Sequence, residues 1–410
     1  MVISGMGVVS GFGLGAAAFW DGLVEGRSTI GQIGAFDASA FPSVFGAEVP
    51  DLDVKKLVPK PYRKATKVMA RDSELAVAAA QCAVFDAGLS TRGSGATTDL
   101  STAEDAPPID GARTGCQIGA GLIAADTREL TAALSTSRDE DGAFSLKRWG
   151  SAEGGEGGMN NLPPLWMLKY LPNMLACHVT IIHGLEGPSN TITCAEASGV
   201  LSAGESLRAM QRGDADLCFS GGVESKINPM GITRLTLAER LARTEGVAPE
   251  EAWKLVRPFD PAGAGSLIGE GGAIFVLEPA EKAAARGRDA WAVVAGFGAA
   301  QSTDHPLPGI PFDVRPDRVD PGVSLAAARA LRDAGVSADE IDVIVPSGYG
   351  VPAVDVGEFN ALRAVMGDRL AEIPMLTLAP SIGLCAAGHG ALQIAAAAAC
   401  LREQRLPSRL

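Results

Sequence analysis

The chain has 410 residues, of which 47% are apolar and 20% are charged, and its formal net charge at pH 7 is −13. This composition is typical of a globular protein and excludes a disordered or fibrous one. The net negative charge argues against general binding of nucleic acids or membrane surfaces, because both require a basic face on the protein. No apolar run approaches the roughly 20 residues of a membrane-spanning helix. We therefore expect a cytoplasmic protein without membrane association.

The 7 cysteines and 4 histidines show no spacing that is typical of a metal site. The cysteines form no C-x-x-C pair and lie in apolar segments, which indicates reduced, mostly buried thiols. The small number of histidines also disfavours a metal site built on imidazoles. We therefore expect neither a metal nor a cofactor.

Taken in chain order, the first clear element is a helix that begins near Asp72 and closes with the sequence Asp-Ala-Gly at 86–88. Its Ala-rich amphipathic pattern predicts a helix, and the glycine can take the left-handed conformation that ends one. An apolar, strand-like stretch follows at 114–121. The segments 93–112 and 151–161 are rich in turn-forming residues, which predicts exposed loops.

The same arrangement recurs in the second part of the chain. A helix that begins near Ser324 also closes with Asp-Ala-Gly, at 333–335, and an apolar stretch follows at 341–345. Ser198 and His389 each begin an Ala/Ser-rich helix after a short turn. This pattern predicts a duplicated strand–helix unit and two similar α/β halves around one core. The alternative is a chance similarity between Ala-rich helices.

An Arg-Pro-Phe-Asp turn at 257–260 opens the second part of the chain. We therefore place the boundary between the halves near residue 255, which gives an N-terminal half 1–255 and a C-terminal half 256–410.

Five motifs, in this order along the chain, resemble those of the β-ketoacyl-acyl-carrier-protein synthases. They are M-G-V-V-S at 6–10, N-M-L-A-C-H-V-T at 173–180, G-D-A-D at 213–216, G-G-V-E at 221–224 and R-P-F-D at 257–260. The resemblance implies the α/β thiolase fold, in which two duplicated halves form a five-layered α-β-α-β-α core. It also implies a catalytic set of one cysteine, two histidines and a lysine.

The nucleophile turn is altered relative to the family pattern T-A-C-x-S-G. When the turn is anchored on Ser198 and Gly199, Glu196 stands at the position of the nucleophilic cysteine. Cys194 could take that role only with two extra residues in a tight turn, so we interpret it as a small buried strand thiol.

The two histidine positions and the lysine position are altered as well. The first histidine loop of the family matches 346–355, which places Ser347 at the histidine. The second histidine motif matches 379–390, which places Leu384 at the histidine and Ala379 at the lysine. His389 lies nearby, and we interpret it as a helix-start residue rather than as a relocated catalytic base.

This pattern is most similar to the chain-length factors, or ketosynthase-β subunits, of polyketide and fatty-acid-type biosynthesis. These subunits lack the nucleophilic cysteine, usually carry glutamine there and form heterodimers with an active ketosynthase. Glu196 departs from that glutamine. We expect the chain to have lost its own condensing activity and to act with an active ketosynthase subunit and an acyl carrier protein.

Basic residues stand out between positions 55 and 71 of this acidic chain. The resemblance implies that this region docks an acidic acyl carrier protein, through long-range attraction. The alternative is a solvated helix face. The candidate docking residues are Lys60, Arg63, Lys64, Lys67 and Arg71.

Two other functions stay open. The chain could be an independent thioester-processing enzyme in which Glu196 is the acid or base, with Ser347, Tyr349, Cys385 or His389 nearby. It could also be a homodimeric acyl-thioester binding protein. The apolar segment 162–175 corresponds to a dimer interface in the family, or else belongs to the core.

The related enzymes close with a core strand that carries the sequence G-F-G-G, and this motif does not occur near the end of the sequence. We expect either an omitted segment or a second sheet whose edge is built differently.

Overall fold

The computed structural model describes residues 1–95, 106–150, 157–302 and 315–408. Within these ranges the strands are β1 (Val2–Ser10), β2 (Gly13–Leu14), β3 (Ile30–Gln32), β4 (Phe45–Ala47), β5 (Thr114–Gly119), β6 (Ser189–Ile192), β7 (Leu217–Ser225), β8 (Ile268–Glu278) and β9 (Ala292–Val293). The helices of the first part are α1 (Ala16–Val24), α2 (Val54–Leu57), α3 (Arg71–Ala87), α4 (Thr127–Ser135), α5 (Leu146–Gly150), α6 (Trp166–Lys169) and α7 (Met174–His183). They are followed by α8 (Ser198–Gln211), α9 (Pro229–Leu237), α10 (Ala280–Ala285), α11 (Pro321–Ala334), α12 (Pro352–Met366), α13 (Ala379–Ile382) and α14 (His389–Glu403).

One mixed sheet forms the centre of the molecule, with the strand order β2-β1-β8-β7-β5-β6. β8 is antiparallel to both β1 and β7, whereas β7, β5 and β6 run parallel to one another. Every residue of β1, β7 and β8 is buried. Strands buried on both faces require helices on both sides of the sheet.

Helices cover the two faces of the sheet and form two separate cores. Phe219 and Ile274 pack with the buried residues of α3 and α7. Cys218 and Phe275, each adjacent in sequence to one of those residues, pack instead with α1 and α14. Successive side chains of a strand point to opposite faces, so this alternation defines an α-β-α layering.

The predicted duplication is visible in the helices. α3 ends at Gly88 with φ 60° and α11 ends at Gly335 with φ 70°, so both predicted left-handed caps are confirmed. α8 and α14 begin at Ser198 and His389, as predicted, and they pack against each other. The match between these helix pairs supports duplicated halves.

The strands of the second half repeat the pairing of the first in a shorter form. β5 and β6 are parallel, and the equivalent segments meet in a parallel bridge between Ile344 and Met375. Main-chain N–H groups of Ile344 and Leu376 donate across this pair at 3.1 and 2.9 Å. The predicted strand at 341–345 is therefore extended, with one bridge in place of a long ladder.

The second half also buries its helix less completely. Of α11 only Gly322 is buried, whereas most of the side chains of its counterpart α3 are buried. β8 lies after the expected boundary near residue 255, yet it is hydrogen-bonded between β1 and β7. A division after β8 would keep β8 with its neighbours β1 and β7.

Parts of the two predicted loops lie outside the described residues, namely 96–105 and 151–156. The described remainder of the second loop contains one turn of 3₁₀ helix at Gly158–Asn161. In the ranges that the structure covers, no helix is long and apolar enough to cross a membrane.

Candidate functional site

The turn between β6 and α8 holds Glu196 at the start of a long helix. Ala195 takes a left-handed conformation with φ 47°. The hydroxyl of Ser198 donates to the main-chain oxygen of Ala195 at 2.6 Å and accepts the main-chain N–H of Cys194 at 2.8 Å. The turn is thereby fixed. Its position at a helix N-terminus favours a carboxylate electrostatically.

The Glu196 side chain is 26% exposed and faces Arg240, whose Nη1 atom lies 3.9 Å from its Oε1 atom. Arg240 is only 13% exposed and follows α9 in the chain. This arginine was not predictable from the sequence, because nothing in the local sequence of either residue indicates a contact across 44 positions of the chain.

Glu224, at the end of β7, is a second carboxylate beside Glu196. It is 1% exposed, accepts the main-chain N–H of Ala387 at 2.7 Å and pairs with Lys226. Burial raises the pKa of Glu224 above its usual range, and the charge of Glu196 adds to that effect. The turn therefore lies over an internal network of paired charges.

Cys194 is exposed and lies in the turn after β6. Our interpretation of this residue as a small buried strand thiol was wrong. The left-handed residue Ala195 ends the extended conformation just after Cys194, and this thiol therefore does not enter the sheet. Cys385 is buried, and burial raises the pKa of its thiol.

The loop that carries Ser347 is held by two buried carboxylates of α12. Glu358 accepts the main-chain N–H groups of Ser347 and Gly348 at 2.7 and 3.0 Å. Asp355 accepts those of Tyr349 and Gly350 at 3.0 and 2.9 Å. Burial raises the pKa values of both carboxyl groups. Glu358 was not among the residues predicted from the sequence, although its spacing three residues after Asp355 places both on one helix face.

Leu384 and Ala379 are apolar positions inside the core. Leu384 is fully buried, and its main-chain N–H donates to the carbonyl oxygen of Leu267 at 2.7 Å. Its side chain packs with Tyr349 and Val351. Ala379 begins α13 and is fully buried in a neighbouring apolar cluster. Neither side chain can transfer a proton or donate a hydrogen bond.

An aromatic pair lies between these positions. The rings of Tyr349 and His389 meet edge to face with centroids 5.2 Å apart, and the two residues are 5% and 0% exposed. Burial lowers the pKa of His389 to about 4. Burial and the charge of Glu196 raise the pKa of Tyr349. His389 begins α14, as predicted, and the structure brings Glu196, Ser347 and Leu384 together around Tyr349.

Comparisons with known proteins agree with this architecture. Residues 1–283 match the family model of the β-ketoacyl synthase N-terminal domain, and residues 313–410 match that of the C-terminal domain. The chain belongs to the β-ketoacyl synthase family. The predicted family and the ketosynthase type of α/β fold are thereby confirmed, and the matched ranges keep β8 with the first sheet.

Relatives of this chain include fatty-acid and polyketide proteins. It is 28% identical to the 3-oxoacyl-[acyl-carrier-protein] synthase 2 of Coxiella burnetii over 99% of this chain and 87% of that protein. It is 30% identical to the actinorhodin polyketide putative beta-ketoacyl synthase 2 of Streptomyces coelicolor over 98% of this chain and 86% of that protein. The solved ishigamide ketosynthase/chain length factor is similar with a TM-score of 0.76, at 27% identity over 99% of this chain and 87% of that one.

The five basic residues of the predicted docking region differ in their surroundings. Lys60, Lys64 and Lys67 are exposed, and Arg63 is half-buried. Arg71 is bound within the fold, because its Nη2 atom lies 2.6 Å from Oε1 of Glu270, which is itself buried. The structure therefore exposes Lys60, Lys64 and Lys67 to solvent, whereas Arg71 is partly buried and paired with Glu270.

The segment 162–175, for which the sequence left an interface and a core location open, carries large exposed side chains. Leu165, Met167 and Leu168 are 64%, 62% and 40% exposed, and Ile181 on the next helix is 51% exposed. A cluster of exposed apolar side chains is typical of a protein–protein interface.

A cleft of about 1200 Å³ lies apart from Glu196, Ser347 and Leu384, none of which lines it. Its walls carry the ion pair of Arg71 and Glu270 as well as Asp72, Glu74, Lys169 and Tyr170. Within the described residues, no group of three or more His, Cys, Asp or Glu side chains is arranged to hold a metal ion.

Proposed function

We propose that this β-ketoacyl synthase homologue is a chain-length-factor subunit that has lost its own condensing activity. It acts as the partner of an active β-ketoacyl-acyl-carrier-protein synthase in polyketide or fatty-acid-type biosynthesis. The observation that carries the proposal is the set of side chains at the four family positions. They are a glutamate, a serine, a buried leucine and a buried alanine, at Glu196, Ser347, Leu384 and Ala379.

The chemistry of condensation explains why these replacements matter. A cysteine thiolate takes the acyl chain as a thioester, whereas acylation of a carboxylate would give a labile anhydride. The charge of Glu196 would also repel the carboxylate of a malonyl extender. Leu384 offers neither a proton nor a hydrogen bond to a developing enolate oxygen. The condensing chemistry is therefore assigned to the partner subunit.

Two surface features support a heterodimer. The exposed side chains of Leu165, Met167 and Leu168 are suited to burial against a partner. β6 pairs only with β5 within the described part of the chain, and its residues Ser189 and Asn190 are exposed. A free strand edge is a ready template for pairing with another chain.

The basic surface supports an acyl carrier protein as the further partner. Lys60, Lys64 and Lys67 are exposed in a chain whose net charge is −13. An acidic carrier would be repelled by most of this surface and attracted to these lysines, which increases the rate of productive encounter.

The proposal is tested by co-expression with the ketosynthase encoded nearest to this chain. The mass of the purified complex and malonyl-carrier condensation are measured, and each subunit is also assayed alone. We expect a 1:1 complex whose activity depends on the cysteine of the partner and is unchanged by Cys194→Ala in this chain. Turnover of thioesters by this chain alone would contradict the proposal. A homodimer that binds acyl thioesters without turnover would instead indicate a binding protein.

An independent thioester-processing enzyme is the second candidate. It is favoured by one observation, namely that Glu196 is partly exposed and faces Arg240 while its charge also acts on Tyr349. Glu196 would then be a general acid or base. In that case the isolated chain would turn over an acyl thioester, and Glu196→Gln would abolish the reaction. The chain-length-factor proposal predicts no such turnover in either form.

A further inference from the structure

We propose that the ring of Tyr349 fills the acyl-binding position of the site. It thereby excludes acyl thioesters from this chain even when position 196 carries a thiol. The inference rests on the proposed function, in which Glu196 stands where the active relatives have their nucleophile. It goes further, because it assigns the exclusion to one side chain that is not among the four altered positions.

The backbone around Tyr349 is built to hold its side chain inward. Gly348 and Gly350, on either side, have φ values of 47° and 75°, in a region that residues with a side chain rarely adopt. The N–H groups of Tyr349 and Gly350 both donate to the carboxylate of Asp355, at 3.0 and 2.9 Å. Residues 348–350 are thus fixed at several points, and Tyr349 is only 5% exposed.

The surroundings of the ring coincide with the family positions of the catalytic groups. The ring packs against Leu384, which stands at the position of the second histidine. Ser347, at the position of the first histidine, lies two residues before Tyr349 on the loop that Glu358 and Asp355 hold. The charge of Glu196 contributes to the raised pKa of Tyr349. The tyrosine ring therefore packs on the position of the second histidine and lies beside the other two.

His389 closes the space behind the ring. It is fully buried, and in the described structure its ring nitrogens make no hydrogen bond of good geometry, although the backbone of Ser347 interacts with the imidazole. A buried polar side chain with such weak pairing is unusual. Removal of the tyrosine ring would leave a cavity that is lined by this imidazole and by Leu384.

The test introduces a nucleophile and then removes the ring. All variants carry Glu196→Cys together with Cys194→Ala, so that the exposed neighbouring thiol does not react. A thiol at position 196 would lie at the N-terminus of α8, which favours the thiolate. The probe is a hexanoyl-pantetheine thioester. The thiolate attacks the thioester carbonyl, a new carbon–sulfur bond forms, and pantetheine leaves with its sulfur and takes up the proton that the attacking thiol lost.

Three forms are compared by intact mass and peptide mapping, namely Tyr349 unchanged, Tyr349→Phe and Tyr349→Ala. The phenylalanine variant keeps the ring, so we expect acylation at position 196 to be equally slow with Tyr349 and with Tyr349→Phe. With Tyr349→Ala we expect at least about a tenfold higher rate of acylation, which corresponds to about 1.4 kcal/mol in the barrier. Tyr349→Val serves as the second ring-deleted variant if Tyr349→Ala does not fold.

Iodoacetamide labelling at position 196 shows whether a small reagent reaches the thiol in each folded variant. Equal acylation with and without the ring would overturn the proposal. It would also be overturned if a folded ring-deleted variant reacts with iodoacetamide but not with the thioester. These outcomes are independent of the proposed function, which fails instead when the unmodified chain turns over thioesters without a partner.

Discussion

The indole Nε1 of Trp291 donates a hydrogen bond of 2.6 Å to Oδ2 of Asp86, and the same carboxylate oxygen accepts the main-chain N–H of Met6 at 2.7 Å. Asp86 lies near the end of α3, whereas Trp291 lies just before β9. The guanidinium of Arg402, on α14, lies 4.0 Å from the centre of the indole ring. One carboxylate therefore connects α3, β1 and the segment just before β9.

We predict that Asp86→Ala lowers the free energy of unfolding by about 2 kcal/mol, because it leaves two partly buried donors without their acceptor. Trp291→Phe keeps an aromatic ring and removes one of these bonds, so a loss of about 1 kcal/mol is expected. Urea unfolding at pH 7 measures both. Equal effects of the two variants would contradict the shared-acceptor explanation.

Asp72 makes the stability of the chain depend on pH. It is 3% exposed and accepts the main-chain N–H of Ser225 at 3.1 Å, and burial raises its pKa to about 7. The native state therefore takes up a proton as the pH falls through 7, whereas the unfolded state does so only near 4. The contribution of Asp72 to the free energy of unfolding is therefore lowest above pH 7 and rises as the pH falls from 7 to 4.

We predict that Asp72→Asn gains stability relative to the wild type as the pH rises from 4 to 7, by about 1.4 kcal/mol for each pH unit in that window. The measurement is urea unfolding of both proteins at several pH values. Asp289→Asn, at an exposed position, controls for the loss of one negative charge. A difference between wild type and Asp72→Asn that stays constant with pH would contradict the assignment.

His389 makes the stability of the chain depend on pH in the opposite direction. Burial lowers its pKa to about 4, whereas an unfolded histidine titrates near 6.5. Between these values the unfolded state binds the additional proton, so the wild type loses stability as the pH falls. We predict that His389→Leu is within about 1 kcal/mol of the wild type at pH 7.5 and is more stable than the wild type at pH 5.

His183 provides the matched control for that experiment. Burial also lowers its pKa to about 4, but its Nδ1 atom is hydrogen-bonded to the Thr91 hydroxyl at 2.8 Å. His183→Leu should therefore cost about 1 kcal/mol more than His389→Leu at pH 7.5 and show the same gain at pH 5. If the stability of His389→Leu follows that of the wild type at both pH values, the pKa of His389 is not lowered by folding.

The extent to which the sequence predicts this molecule depends on how far apart the interacting residues lie in the chain. The helix ends at Gly88 and Gly335 were predictable, because a left-handed cap is a local property of a few residues. The turn that carries Glu196 was predictable for the same reason. The contact of Glu196 with Arg240 was not, since it depends on the packing of the turn against the segment after α9.

Arg71 shows the same limit. In the sequence it belongs to a basic run, and charge alone does not distinguish it from the neighbouring lysines. Its partner Glu270 lies 199 positions away and reaches it only through the pairing of β8 in the sheet. The fold is therefore needed to distinguish the lysines that can dock a carrier from the arginine that pairs with Glu270.

Carrier docking by the lysines and ion pairing by Arg71 lead to different expected effects of substitution. The combined change of Lys60, Lys64 and Lys67 to glutamate should weaken acyl-carrier binding, mainly through a slower association rate, and the loss should shrink as salt is raised. The stability of the fold should change little, because surface charges contribute about 0–1 kcal/mol each. Binding kinetics at two salt concentrations, together with urea unfolding, measure these effects.

Arg71→Ala is the contrasting variant. It removes the guanidinium that pairs with the buried carboxylate of Glu270. Among the described residues, this carboxylate then keeps hydrogen bonds from the main-chain N–H of Val49 at 2.9 Å and from the hydroxyl of Ser225 at 2.7 Å. The Glu270 side chain is 4% exposed but that of Arg71 is 34% exposed at the wall of the cleft, so solvent partly screens the pair and the loss is expected to be about 1–3 kcal/mol, below that of a fully buried ion pair. We therefore predict a moderate loss of stability for Arg71→Ala and a partial rescue by the added change Glu270→Gln. Loss of carrier binding at unchanged stability would place Arg71 with the surface lysines instead.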